Sequence, residues 1–325
     1  MKKRVVIIDG LNTYLRNYIV NPSLSTNGDP IGGLKGFLSS LQKLSRELKP
    51  DQLVIVWDGP GGSQRRKAID KNYKEGRKPI RLNRSVKLLT EEQNLVNKVW
   101  QQTRLFEYLN NMPVSQIMID GIEADDIIAQ ICNEMFAMDK EKIIVSSDKD
   151  FIQRCDQSTV LYRPIQDEVL NKSSVIEKYG ISPNWFALAR AIAGDKSDNL
   201  SGVSGVGLKT IAKRFPFFKE PDQASCFYKL FEHCRENLDG PKVYKNVLES
   251  EDLIKRNHKL MQLYAPTISP QNKGRIRSAI FDMEPEFNKT GVVKMMIQDG
   301  FGATDWTGLF STFRKIVVDN KTEKC

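Results

Sequence analysis

Histidine is almost missing from this chain: His233 and His258 are the two among 325 residues. Neither lies near an acidic motif, which argues against a histidine general base, a Ser-His-Asp triad or a histidine-rich metal site. Cysteine is sparse too. Cys132, Cys155, Cys226, Cys234 and Cys325 are scattered, odd in number and form no CxxC pair, so neither a zinc site nor a disulfide framework is supported. No stretch of about twenty apolar residues could span a membrane. The basic start MKKR leads into the short apolar run VVII, which ends at Asp9, too short for an export signal. No repeat or low-complexity tract stands out. The expectation is a cytoplasmic protein, without membrane contact and monomeric.

What is present is charge. Lys and Arg number 49 against 40 Asp and Glu, giving a net charge of +9 and a pI near 9.2. A basic surface points weakly to nucleic acid. With 40% hydrophobic and 27% charged residues, the composition is that of an ordinary globular protein, long enough for one large or two modest domains.

Against that basic background, nine acids fall where strand-like segments end or helices open. They are Asp9 in VVIID, Asp58 in LVIVWD, Glu123, Asp125 and Asp126 in GIEADD, Asp148 and Asp150 in VSSDKD, and Asp195 and Asp198 in AGDKSDN. Carboxylates in such number share a pocket only if cations neutralise them, because like charges repel or raise each other's pKa. Hard oxygen ligands suit magnesium or manganese. Any one of these acids alone reads as a cap or surface residue, and the three at Glu123–Asp126 would also complement a helix dipole. As a set, an acidic centre in a basic chain suggests metal-assisted chemistry on a polyanion.

Residues 4–8 and 53–57 are β-branched apolar runs that read as buried strands. Between them Leu34, Phe37, Leu38, Leu41, Leu44 and Leu48 recur at helical spacing, with Pro50 as a stop. This is a βαβ pattern and predicts an α/β fold with a mostly parallel central sheet flanked by helices. Ligands then lie beyond the carboxyl ends of the strands, where Asp9 and Asp58 fall.

Residues 61–112 form a basic excursion, with ten Lys or Arg against two acids from Arg65 to Lys87. It returns through a helix opened by Thr90 and Gln93 in a capping-box pattern, with Leu95, Val99, Phe106 and Leu109 along one face. Residues 114–119 and 142–147 are further strands. From about 172 the pattern is wholly helical, with Ser174 and Glu177 as a second capping box. The expected division is an α/β domain over 1–180 and a helical domain over 181–325.

Taken together, VVIIDGLN, VWDGP, NYKEGR, GIEADD, SSDKD, KYGISP and GDKSDNLSGVSGVGLKT resemble the 5′ nuclease family. That family comprises flap endonucleases, the amino-terminal nuclease domain of bacterial DNA polymerase one, and stand-alone phage 5′ nucleases. The stretches follow the family's order over residues 4–213. The resemblance implies a PIN-like sheet, a helical arch within 61–112, and a helix–three-turn–helix DNA-binding element at about 195–213. It implies two Mg2+ or Mn2+ ions held by Asp9, Asp58, Glu123, Asp125, Asp126, Asp148 and Asp150, with Asp195 and Asp198 completing the second site. Asp125 could also act from behind another ligand.

By the same resemblance Tyr73, Lys74 and Arg77 match the Tyr-Lys-x-x-Arg signature. Lys74 and Arg77 would reach the scissile phosphate, where charge must be stabilised in the transition state, and Tyr73 could stack on a base. Arg66 occupies the place of the Arg in the family's Phe-Arg pair, with Arg65 where the Phe would stand. Gly202, Gly205 and Gly207 would permit close backbone approach to a duplex, with Lys209 and Thr210 at the following helix start, and related proteins bind K+ in this loop. Leu200-Ser201 replaces the family's usual Ile-Pro.

The implied activity is 5′-3′ exonuclease and 5′-flap endonuclease on DNA and on RNA in RNA–DNA duplexes, removing primers or flaps in replication and repair. The implied partners are DNA with a 5′ end or flap, RNA–DNA hybrid, and a single-strand-binding protein or sliding clamp. Past 213 the resemblance fades; Phe217, Phe218 and Trp306 read as core. Two rivals are a PIN-like single-strand ribonuclease, which does not predict the glycine-rich loop at 200–210, and a non-catalytic structure-specific DNA-binding protein, which would lack some acids.

Overall fold

The fold is that of a computed structural model, in which residues 3–76, 89–135, 140–220 and 226–322 are described. Six strands, β1 (Lys3–Asp9), β2 (Gln52–Trp57), β3 (Ser115–Met118), β4 (Lys140–Val145), β5 (Thr159–Arg163) and β6 (Glu168–Leu170), form one sheet in the order β3-β2-β1-β4-β5-β6. All pairings are parallel except β5 with β6. The mostly parallel sheet expected from the βαβ pattern is therefore present. β5 and β6 were not anticipated; each is short, and TVLYR carries no clear alternation.

β1 lies between β2 and β4. The chain builds outward on one side through β2 and β3 and then crosses back to β4, so the strand order switches beside β1. Parallel sheets open a crevice beyond the strand ends at such a point. Asp9 ends β1, and the Ser146–Asp150 stretch follows β4.

Alternate residues of β1 enter two cores, as the two-residue strand repeat requires. Val5 and Ile7 pack with helices α5 (Ala124–Glu134) and α7 (Pro183–Ala193), and Val6 and Ile8 pack with α1 (Gly10–Val20) and α2 (Gly32–Leu48). The remaining helices are α3 (Gln64–Ile69), α4 (Glu91–Asn110), α6 (Lys172–Tyr179), α8 (Leu208–Arg214), α9 (Phe227–Glu236), α10 (Val243–Glu249), α11 (Glu251–Met261), α12 (Pro270–Phe281), α13 (Lys289–Gln298) and α14 (Thr307–Thr322). Phe217 and Phe218 join the first core and Trp306 the second, so these aromatics are packing residues as expected. The C-terminal region returns to α4: Asp299, just past α13, accepts from Arg104 Nε and Tyr108 Oη, each at 2.8 Å.

Two local expectations need correction. Thr90 and Gln93 do form the capping box of α4, but Leu95 is 56% and Val99 53% exposed. Only the later turns, through Gln101, Leu105, Tyr108 and Leu109, are buried. The first half is held by polar contacts, Tyr18 Oη to Asn94 O at 2.9 Å and Tyr14 Oη to Lys98 O at 2.6 Å, so its apolar side chains face outward. The second capping box is made by Asn171 and Ser174, not Ser174 and Glu177. Asn accepts the N3 amide as well as serine does, and α6 starts three residues earlier than the Ser174 cap implied. The arch expectation falls partly on 77–88, outside the described residues.

Candidate active site

Each expected acid is delivered by an element boundary. Asp9 ends β1 and caps α1, accepting from Asn12 N at 3.1 Å and from Ser146 Oγ at 2.9 Å. Asp58 follows β2 and accepts from Ala124 N at 2.7 Å, which ties β2 to the start of α5. Glu123 is the N-cap residue of α5, and Asp125 and Asp126 lie in its first turn. After β4, Asp148 accepts from Asp150 N at 2.8 Å, and Ser146 Oγ accepts from Asp148 N at 3.1 Å. Past α7, a pair of backbone bonds between Asp195 and Leu200, each 2.8 Å, closes a tight loop that holds Asp195 and Asp198.

The carboxylate oxygens of Asp150, Asp195 and Asp198 lie within 4.8 Å of one another. Crowding appears in the acidities. Burial, with Asp58 and Asp148 nearby, pushes Asp9 up to about 7. Burial and Asp148 push Asp150 up to about 7, and the same two causes raise Asp125 well above the usual carboxylate range. Asp148 is also raised, mainly by burial. Asp125 thus shares an electrostatic environment with Asp148 and Asp9. This donor set consists of hard oxygens and carries excess negative charge, which fits divalent Mg2+ or Mn2+.

Among the described residues, three cations of the protein enter the cluster. Arg66 pairs with Glu123 and, at 3.1 Å, with Asp126, and it donates to Leu260 O at 3.0 Å. Lys74 Nζ pairs with Glu123. Burial raises Glu123, but Arg66 and Lys74 outweigh it and hold the carboxyl below its usual range. Burial also lowers Lys74, but Asp125 and Glu123 outweigh it and hold the ammonium firmly charged. Arg190 pairs with Asp150 at 3.1 Å and with Asp195.

The basic residues expected at DNA divide. Arg66 is 8% exposed and spent on internal acceptors, and Tyr73 is 3% exposed within the first core. As placed, Arg66 orients carboxylates and Tyr73 packs, rather than offering a stacking face. Arg77 lies outside the described residues. Lys74 is half-buried at φ 59°, a left-handed conformation uncommon for a residue with a side chain. Its amide donates to Asp198 O at 3.0 Å, and Asn199, itself at φ 58°, donates from Nδ2 to Asn72 O at 3.0 Å. The Lys74 loop and the Asp198 loop are therefore joined.

In the 200–210 loop, Val203 and Val206 are buried while Gly205, Gly207 and Lys209 are exposed and Thr210 is half-buried. Gly205 has φ 73° and open space where a Cβ would project. Gly202 serves a different end, because a Cβ there would meet Ala193 O at 2.2 Å. The loop is held by Asn257, fully buried, whose Nδ2 donates to Ala191 O at 3.0 Å and to Ser201 O at 2.8 Å.

Arg190 and Asn257 were missed in the sequence. Arg190 did leave a signal: it is the single charged residue in PNWFALARAIA. Asn257 left none.

The description "5′-3′ exonuclease, N-terminal resolvase-like domain" matches residues 4–180. The chain belongs to the 5′-3′ exonuclease family. Within it, the chain is 33% identical over 212 residues to a 5′-3′ exonuclease of Aquifex aeolicus, covering 64% of this chain and 67% of that one. It is 30% identical over 261 residues to the flap endonuclease Xni of Shewanella sp. strain MR-4, covering 80% and 90%. Among solved structures, the D15 flap endonuclease of bacteriophage T5, in a pseudo-enzyme-product complex with DNA and metal ions, aligns over 91% of this chain and 98% of its own. The TM-score is 0.64 at 19% identity, a likeness of fold.

Proposed function

We propose that this member of the 5′-3′ exonuclease family is a divalent-metal-dependent 5′ nuclease. It cleaves phosphodiesters at 5′ ends and 5′ flaps of DNA, and in the RNA strand of RNA–DNA duplexes. The observation that carries this reading is the acidic centre at the strand-order switch, where the oxygens of Asp150, Asp195 and Asp198 lie within 4.8 Å of one another. The flap endonuclease and exonuclease names of its relatives support it.

Two ions would be held here, one by Asp9, Asp58, Glu123, Asp125 and Asp126, and one by Asp150, Asp195 and Asp198, with Asp148 between them. When bound, such ions lower the pKa of water and stabilise the attacking and leaving oxygens of an in-line displacement. The chain's own groups set the stage for that chemistry. Ser146 Oγ and Asn12 N hold Asp9 in one orientation, and Ala124 N does the same for Asp58. Arg66 keeps Glu123 ionised from within the core. Lys74, on a loop fixed to Asp198, carries the ammonium that meets charge developing on the scissile phosphate. Gly205, Gly207 and Lys209, exposed on a loop whose apolar side is buried, would meet the duplex backbone. We keep the division into a nuclease domain over 1–180 and a helical domain over 181–325 as part of this reading.

Labelled 5′-flap DNA and a 5′-labelled RNA–DNA hybrid, each incubated with Mg2+ or with chelator, test it. The expected result is Mg2+-dependent release of short 5′ products from both. Cleavage confined to single-stranded RNA, or DNA binding without cleavage, would overturn it.

A further inference from the structure

Arg190 is a cation in a place that otherwise repels none. Helix α7 buries Trp185, Phe186, Leu188 and Ile192 among others, and Arg190 leaves this apolar helix to reach the acidic centre. Its side chain is 12% exposed. Nε donates to Asp150 Oδ1 at 3.1 Å, a guanidinium nitrogen reaches the same oxygen at 3.1 Å, and the guanidinium also pairs with Asp195. Asp150 and Asp195 are two of the three acids in the tight oxygen cluster, and the third is Asp198. The guanidinium and a metal ion would therefore draw on the same carboxylates.

We propose that Arg190 competes with the divalent ion at the Asp150–Asp195–Asp198 site and keeps that ion's affinity low. The inference rests on the metal-dependent reading above. With an ion bound the three carboxylates are ionised and carry −3, apart from the shared Asp148, and Arg190 offsets one of these charges, leaving about what one divalent ion balances. Without Arg190 the loaded site would keep a net negative charge, hold its ion more tightly, and present that charge to an incoming phosphate. With it, the ion binds weakly until a phosphate oxygen adds a ligand. Arg66 differs, because its third partner is the carbonyl of Leu260, which fixes it in the core whether or not an ion is near. A unit charge roughly 6 Å from a divalent ion changes affinity by about tenfold even at the dielectric constant of water.

The test is Mn2+ binding by calorimetry on chelator-stripped wild type, Arg190→Met and Arg190→Lys, without DNA. Thermal melts of each protein, with and without Mn2+, run alongside. Arg190→Met keeps the stem and removes the charge. It should bind the weaker Mn2+ at least about tenfold more tightly and gain more thermal stability from Mn2+ than wild type does. Arg190→Lys should stay close to wild type in affinity. If Arg190→Met binds that ion as weakly as wild type, or more weakly, Arg190 is a ligand-orienting residue and the proposal fails. If Arg190→Met does not fold, an Arg190→Lys protein with Mn2+ affinity raised as the bulk of the guanidinium is lost would equally contradict a charge effect. A wild type that binds no Mn2+ would instead sink the metal-dependent reading itself.

Discussion

Replacing Arg66 by Met separates two roles that a basic residue in this segment can have. If the guanidinium faced DNA, the substitution would weaken duplex binding and leave the fold untouched. The structure puts it instead between Glu123, Asp126 and Leu260 O, at 8% exposure. Removing one partner of a buried charge network strands the others, at a cost of about 3–5 kcal/mol. Unfolding entropy near 2.1 cal/mol/K per residue gives about 0.7 kcal/mol/K for 325 residues. Arg66→Met should therefore lower the melting midpoint by about 4–7 °C in chelator. Divalent ions at the same carboxylates would replace part of the lost positive charge, so the gap to wild type should narrow in saturating Mg2+. Circular-dichroism melts of both proteins under both conditions measure it. A wild-type midpoint in chelator, together with weaker duplex binding, would refute the buried role.

Lys74→Ala should lower single-turnover cleavage by about a hundredfold, the range seen when one charge-stabilising donor is lost. Asn199→Asp keeps a residue that tolerates the left-handed conformation but removes the donor to Asn72 O; it should slow cleavage in wild type and add little in the Lys74→Ala background, and full additivity would show that the joined loops do not position Lys74. Gly205→Val places a β-branched residue at φ 73°, which costs the fold roughly 1–2 kcal/mol, and fills the open side of the loop; by obstructing backbone approach it should weaken duplex binding, while cutting of short single strands is retained. His258 is held near a pKa of about 4 by burial, below its usual 6.5. The unfolded chain takes up a proton that the native one refuses, so this group's contribution to stability is present above about 6.5 and is lost as pH falls toward 4. It amounts to about 3 kcal/mol at most, and His258→Phe should melt with a flatter acid limb than wild type.

The parallel sheet and the acidic set were legible because both follow from short-range pattern. Runs such as VVIID and LVIVWD place their acid at a strand end whatever the rest of the chain does, and strand ends on a parallel sheet converge. What the pattern could not convey was which basic residues face inward. Arg66 and Lys74 lie eight positions apart in one basic stretch, yet one is sealed against Leu260, which is nearly two hundred residues away in sequence. Tyr73 looked like a stacking residue for the same reason, yet it is buried in the first core. α4 shows a related failure, since apolar residues at helical spacing say that a face exists but not that a partner covers all of it. β5 and β6 went unseen because TVLYR and EVL lack the unbroken β-branched apolar run that marked residues 4–8 and 53–57.

As proposed, the nine acids form one metal-dependent phosphodiesterase centre. Asp148, just past β4 and felt electrostatically by both Asp125 and Asp150, is the acid on which the two halves would meet. Single-turnover cleavage of a labelled 5′-flap duplex in Mg2+, with enzyme in saturating excess, compares Asp148→Asn with wild type most directly, and duplex affinity in Ca2+ controls for binding. Cleavage should be abolished while duplex affinity persists, since phosphate contacts would lie elsewhere. Near-wild-type cleavage by Asp148→Asn would contradict it.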